Sequence, residues 1–272
     1  MASPTPVLWQ IKVSHYNEKA RWALDLKGVA HRRVTPWPLF GSLPAAWLMT
    51  RGITFPVLRL DGETIGDSTR IIAALEQRCP SPPLYPADPA ERERALELED
   101  TFDELLAPAV RRLVWHHTAR EPRTFFKSAF PDSSPLLRAA FRPGAFAVTR
   151  LVQLRFGIDE ASAAEARKHV LAAMELIEAE VRPSGYLVGD AFSVADLAAA
   201  ALTTPLVRPP ERQYLPPVAF PQPLQAFCDE IAARPAGRWV LEMFRRHRGV
   251  SAEVGAQGRR VSGSAPPAAV SA

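Results

Sequence analysis

The 272-residue chain predicts an α/β domain followed by an all-helical domain. Three observations support this fold class: short strand-like apolar runs precede residue 80, a proline-rich segment follows them, and the rest of the chain has helical periodicity. We predict a first domain over residues 1–80, a linker over 81–90, a helical domain over 91–248 and a disordered tail over 249–272.

The first domain opens with a strand, a helix and a second strand. The stretch Val7–Val13 alternates and is rich in β-branched residues, which favours a strand. Small and apolar residues at helical spacing predict a helix over Tyr16–Lys27, with Gly28 just beyond its end. A second strand over His31–Pro36 completes a unit whose two strands run parallel.

The rest of the first domain contains a hairpin and a closing helix. The segment Phe55–Gly66 has two short apolar runs around Asp61 and Gly62, a dipeptide that suits a two-residue hairpin turn. Capping residues then begin a helix that stops at Pro80. With one further helix before the hairpin, the predicted order is βαβαββα.

The second domain is predicted to be helical throughout. Five prolines in twelve residues, PSPPLYPADPAE, mark the linker because proline supplies no backbone donor. Helical periodicity then covers Ala90–Arg120, a stretch around Ser134–Phe156, Glu160–Val181, Val194–Leu206, Pro223–Ala233 and Arg238–His247.

Composition excludes several classes of protein. Hydrophobic residues make up 47% of the chain, and the net charge is +4. The sequence shows no basic face with stacking aromatic residues, which a nucleic-acid-binding protein would need. Cys79 and Cys228 lie far apart and form neither a disulfide framework nor a zinc cluster. No window approaches the roughly 18 apolar residues that cross a bilayer. We therefore expect a cytoplasmic protein with no nucleic-acid or membrane partner.

The sequence SHYNEKAR, residues 14–21, lies where the first strand meets the first helix. A helix N-terminus presents free N–H groups and partial positive charge, so it can hold an anion. Ser14 could instead serve only as the helix cap. His15 is adjacent to Ser14, and sequence neighbours rarely form a nucleophile–base pair, which argues against a hydrolase.

Together with the motifs TFPVL and GDSTRII, this segment resembles the soluble glutathione transferase family, in its serine-type, theta- and zeta-like bacterial branch. The resemblance implies a thioredoxin-like first domain, glutathione as co-substrate and a homodimer. It also implies that Ser14 donates a hydrogen bond to the glutathione sulfur and stabilises the thiolate.

Two positions depart from the family pattern. His15 replaces the usual proline, and Asn17 stands where dithiol oxidoreductases of this fold carry a second cysteine. Because neither Ser14 nor Asn17 is a cysteine, thiol–disulfide relay is excluded at this site. We include His15 and Asn17 among the candidate residues of the glutathione pocket.

The other two motifs imply further contacts with glutathione. In TFPVL, a cis bond before Pro56 would turn the Phe55 backbone towards the cysteinyl backbone of glutathione, although an edge-strand proline is the alternative. In GDSTRII, Ser68 and the helix N–H groups would bind the γ-glutamyl carboxylate. Asp67 would meet the γ-glutamyl ammonium group or merely cap the helix.

The glycyl carboxylate of glutathione would need a cation or an indole from the segment before the third strand. Arg51 is one candidate, and Trp37 and Trp47 are the others. The residues do not distinguish between them.

The resemblance therefore implies a glutathione-dependent transferase. The glutathione thiolate would add to a small apolar electrophile or displace a group from it, and the electrophile would enter from the helical domain. A glutathione-dependent isomerase is one alternative, and a non-catalytic member that binds a protein partner or an apolar ligand is another. The aromatic-rich segment 122–150 would cover an apolar pocket or belong to ordinary core. His117 and Glu121 make only a two-ligand pair, so no metal site is predicted.

Overall fold

The computed structural model describes residues 4–36, 54–118, 150, 153–154, 156–214 and 219–255. In the first domain, four strands form one sheet in the order β2-β1-β3-β4. They are β1 Val7–Trp9, β2 Arg32–Val34, β3 Val57–Leu60 and β4 Glu63–Gly66, with helices α1 His15–Leu26 and α2 Ser68–Arg78. Strands β1 and β2 run parallel, and the other neighbours run antiparallel. The predicted parallel unit and hairpin are confirmed; the helix expected between them lies outside the described residues.

The first strand is shorter than predicted. It ends at Trp9 because the chain then turns, and the Ser14 N–H donates to the Ile11 carbonyl at 3.1 Å. The hairpin turn is as predicted, since Asp61 and Gly62 have φ of 49° and 85°. Two successive residues in the left-handed region are what a type I′ turn requires.

The helical domain begins at the predicted linker. Its helices are α3 Pro89–Thr101, α4 Ala107–Thr118, α5 Glu160–Glu180, α6 Val194–Val207, α7 Gln222–Ala233 and α8 Pro235–His247. A π-helical turn over Phe102–Leu106 joins α3 to α4. Pro108 follows that turn and cannot donate a backbone hydrogen bond, so the single long helix predicted here is interrupted. Within the described ranges, none of the helices combines the length and apolarity that crossing a bilayer requires.

Helix α1 is where the two domains meet. It packs against both α2 and α6, and one continuous apolar core runs from Leu8 in β1 to Phe244 in α8. The Trp22 ring lies 4.3 Å from that of Phe244, and its indole N–H donates to the His247 carbonyl at 3.0 Å. The orientation of α1 is therefore fixed from both domains.

Charged side chains of α1 are buried as well as apolar ones. Glu18 accepts from Arg21 and from Arg248, both at 2.6 Å, and Asp25 pairs with Arg33 at 2.7 Å and Arg248 at 3.0 Å. We call these five residues the buried ion cluster. Burial alone would raise the pKa of Glu18 and of Asp25, but the arginines lower it. Both carboxylates are therefore charged, as buried ions can be only when well paired.

The chain after α8 differs from the expected disordered tail. The Ala252 N–H donates to the Asp25 carboxylate at 2.8 Å, and the Val254 N–H donates to the His31 carbonyl at 2.9 Å. Ala252 is 3% exposed and Val254 is 7% exposed. Residues 249–255 thus lie beside β2. Their small, polar composition did not indicate this, because the residues that hold them are far away in sequence.

Candidate functional site

Ser14 caps the N-terminus of α1. Its side-chain oxygen accepts a hydrogen bond from the Asn17 N–H at 3.4 Å, and its φ and ψ of −72° and 132° are those of an extended cap residue. The side chain is half-buried. A hydroxyl that accepts as a cap keeps its own proton to donate. The cap role and the predicted role towards an anion are therefore compatible.

A second serine begins α2. Ser68 is 1% exposed, and within the described part of the chain its Oγ has no hydrogen-bond partner. Asp67 is the N-cap, and its carboxylate accepts from the N–H groups of Thr69 at 2.9 Å and Arg70 at 3.2 Å. Asp67 therefore makes the contacts of a helix cap, which was the simpler of its two interpretations. The buried hydroxyl of Ser68 makes no hydrogen bond to the described residues.

The starts of α1 and α2 are linked by Lys19. Its ammonium group donates to the Thr69 hydroxyl at 3.0 Å, pairs with Glu99 at 2.8 Å and contacts Asp103. The Thr69 hydroxyl in turn donates to Asp103 at 2.7 Å. This network joins both helix N-termini to α3 and the π-helical turn, so Ser14 and Ser68 belong to one region of the molecule.

The predicted cis bond between Phe55 and Pro56 is present. Pro56 lies next to the start of α2, because its carbonyl accepts from the Asp67 N–H at 3.2 Å. Among the described residues, the N–H and carbonyl of Phe55 have no backbone partner. The structure thus brings the TFPVL and GDSTRII motifs together.

Asn17 is fully buried beneath the turn that precedes α1. Its side-chain oxygen accepts from the Ile11 N–H at 3.2 Å, and its Nδ2 has no partner within the described ranges. Asn17 therefore supports the turn that presents Ser14.

His15 points towards the helical domain. Its Nε2 lies 3.1 Å from the Ala107 carbonyl, which only accepts, so this nitrogen carries a proton. Burial lowers the pKa of His15 to about 3, helped by the charges of Arg111 and Arg212. The observed role of His15 is to fasten the start of α1 to α4 as a neutral imidazole.

Lys19, Tyr16 and Asp103 are site residues that sequence reasoning missed. The Tyr16 hydroxyl donates to the Asp103 carbonyl at 2.9 Å, and burial raises the pKa of the phenol. Lys19 and Asp103 are separated by 84 residues. No local pattern could have indicated their contact.

The face of α4 near this region carries mixed chemistry. Arg111 follows Ala107 by one helical turn, and its guanidinium lies 4.6 Å from the centre of the Phe156 ring. Trp115 meets the same ring edge-on at 5.3 Å. Arg51, Trp37, Trp47 and the aromatic-rich segment 122–149 lie outside the described residues. In the part of the chain that the structure describes, no group of three His, Cys, Asp or Glu side chains could hold a metal ion.

Two family models match the chain. The model for "Glutathione S-transferase, N-terminal domain" matches residues 8–83, and that for "Glutathione S-transferase, C-terminal domain" matches residues 128–235. The chain belongs to the glutathione S-transferase family. Its thioredoxin-like first domain and helical second domain are those predicted. No curated protein matches the sequence.

Several solved structures, some of them of glutathione S-transferases, share this fold at low identity. The β-etherase LigF from Sphingobium sp. strain SYK-6 is 23% identical with a TM-score of 0.59, over 88% of this chain and 99% of that one. A theta class glutathione S-transferase from Xanthomonas axonopodis pv. citri, with glutathione bound, is 20% identical with a TM-score of 0.53, over 92% and 99%. A bacterial maleyl pyruvate isomerase of the zeta class is 20% identical with a TM-score of 0.53, over 88% and 98%.

In this member of the family, His15 should make folding stability depend on pH. Its pKa is about 3 in the folded protein and about 6.5 in the unfolded chain, so the unfolded state binds more protons between these values. The stabilisation is complete above about pH 6.5 and is lost as the pH falls towards about 3. Urea unfolding at several pH values measures this effect. The difference in the free energy of unfolding between the wild type and His15→Gln should shrink as the pH falls from about 6.5 to about 3.

His15→Asn is a second variant whose side chain cannot titrate in this range, so the advantage of the wild type over it should shrink in the same way. If the difference in the free energy of unfolding between the wild type and His15→Gln stayed constant over this range, His15 would not be a buried, neutral imidazole.

Proposed function

We propose that this protein binds glutathione across the N-termini of α1 and α2 and uses the Ser14 hydroxyl to stabilise its thiolate. One observation carries the proposal: two serines begin adjacent helices, and both have hydroxyl groups with a proton to donate. Neighbours of the same fold hold glutathione or glutathione sulfonate. This supports the same ligand here.

The electrostatics of the site suit a sulfur anion. The first N–H groups of α1 have no carbonyl partner within the helix, and with the helix dipole they favour negative charge in front of Ser14. A donor and a positive dipole lower the pKa of a thiol, and each unit corresponds to a tenfold change in the thiolate fraction. The Ser14 hydroxyl thus acts through a hydrogen bond and is not itself the nucleophile.

The reaction we propose is thiolate attack on an electrophilic carbon. A new carbon–sulfur bond forms, and either the leaving group departs with its electron pair or the electrons of a double bond take up a proton from water. The acceptor would enter beside α4, where Trp115 and Phe156 offer apolar surface and Arg111 offers positive charge. A small, mainly apolar electrophile fits this composition. The homodimer implied by the family is part of the proposal.

A non-catalytic member would bind glutathione without accelerating conjugation. A glutathione-dependent isomerase would consume no glutathione, because the thiolate adds and later leaves. Glutathione titration followed by conjugation and isomerisation assays distinguishes these outcomes from the transferase we propose.

Replacing Ser14 by alanine tests the proposal directly. Ser14→Ala should raise the pKa of the bound glutathione thiol by about one unit and lower kcat/KM by about tenfold to a hundredfold, because one donor to the developing anion is lost. Loss of the cap should also cost about 1 kcal/mol of folding stability. Thiolate absorbance and conjugation rates across a pH series measure the first two effects.

Ser162→Ala is the matched control. Ser162 lies in the first turn of α5, where its hydroxyl accepts from the Asp159 N–H at 2.9 Å, and its loss weakens the start of a helix that carries neither Ser14 nor Ser68. Glutathione-dependent turnover that is the same in Ser14→Ala, Ser162→Ala and the wild type would show that Ser14 is only a cap.

Ser68→Ala should separate glutathione affinity from stability. Because the Ser68 hydroxyl is buried without a partner among the described residues, its removal should leave the folding stability unchanged or higher. The glutathione Kd should rise about tenfold, because the γ-glutamyl carboxylate loses a donor. Calorimetric titration and thermal unfolding measure the two quantities.

Ser184→Ala should show the opposite pattern. The Ser184 hydroxyl donates to the Gly189 carbonyl at 2.8 Å, so its loss should cost about 1 kcal/mol of stability and leave glutathione affinity unchanged. A Ser68→Ala variant that binds glutathione as the wild type does would remove Ser68 from the proposed site.

A further inference from the structure

Arg212 is a buried cation attached to the turn that presents Ser14. Its guanidinium donates to the Val13 carbonyl at 2.6 Å, across 199 residues of sequence, and the residue is 4% exposed. Within the described residues its Nε has no hydrogen-bond partner. Val13 immediately precedes Ser14, so this arginine lies directly behind the N-terminus of α1.

The connection between α6 and α7 holds Arg212 in place. The Arg212 N–H donates to the Pro209 carbonyl at 3.1 Å, and proline fixes the backbone at that turn. The next two residues anchor the same connection: Gln213 donates to Asp25 at 3.1 Å, and the Tyr214 ring lies 4.9 Å from the Arg21 guanidinium. The two residues that follow Arg212 therefore hold this connection against α1.

The surrounding charges compensate Arg212 only in part. The Glu18 carboxylate attracts its guanidinium without pairing with it, and Arg21 and Arg208 repel it. The carboxylates of Glu18 and Asp25 are already shared among Arg21, Arg33 and Arg248. Among the described residues, no carboxylate forms an ion pair with Arg212. A buried cation without an anion is costly, so a region that keeps one is suited to receive negative charge.

We propose that Arg212 is a positioning residue for the thiolate: it fixes the turn before Ser14 through the Val13 carbonyl and adds, behind the α1 N-terminus, a positive charge that no carboxylate of the described residues pairs with directly. The inference rests on the proposed function. It deepens that function, since the anion would be stabilised by a side chain from the helical domain as well as by the Ser14 hydroxyl. Arg212 needs no contact with the sulfur, because a buried charge acts over several ångströms.

Other charged groups near the start of α1 must be considered when pH is varied. On α1 itself, Glu18 pairs with Arg21 and Arg248 and also attracts Arg212, and His15 stays neutral. Arg21 on α1 and Arg208 at the end of α6 repel Arg212. Arg111 on α4 adds a further cation, and Asp103 of the π-helical turn adds an anion that contacts Lys19. At the start of α2, Asp67 adds a second anion, which caps that helix. A variant that changes Arg212 alone leaves all of these in place.

The test is the pKa of the glutathione thiol bound to the full-length protein, followed through the ultraviolet absorbance of the thiolate. Arg212→Gln keeps an N–H donor for Val13 but loses the charge, and should raise the thiol pKa by about one unit, a tenfold loss of thiolate below that pKa. Arg212→Lys keeps the charge and should lie close to the wild type. Arg212→Met is a second neutral variant, which replaces Arg212→Gln in the test if Arg212→Gln does not fold. The thiol pKa expected for the two variants is the same.

Arg59→Met is the control for net charge. Arg59 is exposed on β3, and its loss removes the same unit of charge far from Ser14, so the thiol pKa should not change. A wild-type thiol pKa in the folded neutral variant would overturn the inference, as would equal increases in Arg212→Lys and Arg212→Gln. Those results would leave the proposed function standing if the wild type binds glutathione. Failure of the wild type to bind glutathione would overturn both.

Discussion

Two buried carboxylates on α1 hold together parts of the chain that are far apart in sequence. Asp25 binds Arg33 in β2, Arg248 after α8 and the backbone of Ala252. Glu18 shares Arg248 with Asp25. Removing one partner from such a buried set leaves an unpaired charge, which typically costs about 3 to 5 kcal/mol. The carboxylates therefore fix α1 against its own domain, the last helix and the segment after it.

That constraint determines where the proposed anion site lies. With α1 held, its N-terminus and that of α2 meet at the domain boundary, and Lys19 connects them to α3 and the π-helical turn. His15 fastens the first turn to α4 and stays uncharged, so it adds no competing titration near neutral pH. Most other polar groups of this region, such as His15 and Lys19, hold its helices in place. Ser14 and Ser68 are the hydroxyl groups that could donate to an anion there.

What the sequence predicted well depends on local stereochemistry. The cap at Ser14 and the turn at Asp61 and Gly62 require only neighbouring residues, and both are present. What it missed depends on distant contacts. The bond from Arg212 to Val13 spans 199 residues, and no periodicity or motif points to it. The segment 249–255 shows the same limit, because its composition says nothing about the Asp25 carboxylate that holds it.

The most direct test of the central claim is a crystal structure of the protein with glutathione. We predict the glutathione sulfur within hydrogen-bonding distance of the Ser14 hydroxyl, about 3.5 Å, with the γ-glutamyl carboxylate on Ser68. A sulfur more than about 4 Å from the Ser14 oxygen, or glutathione bound elsewhere, would contradict the claim that the start of α1 stabilises the thiolate.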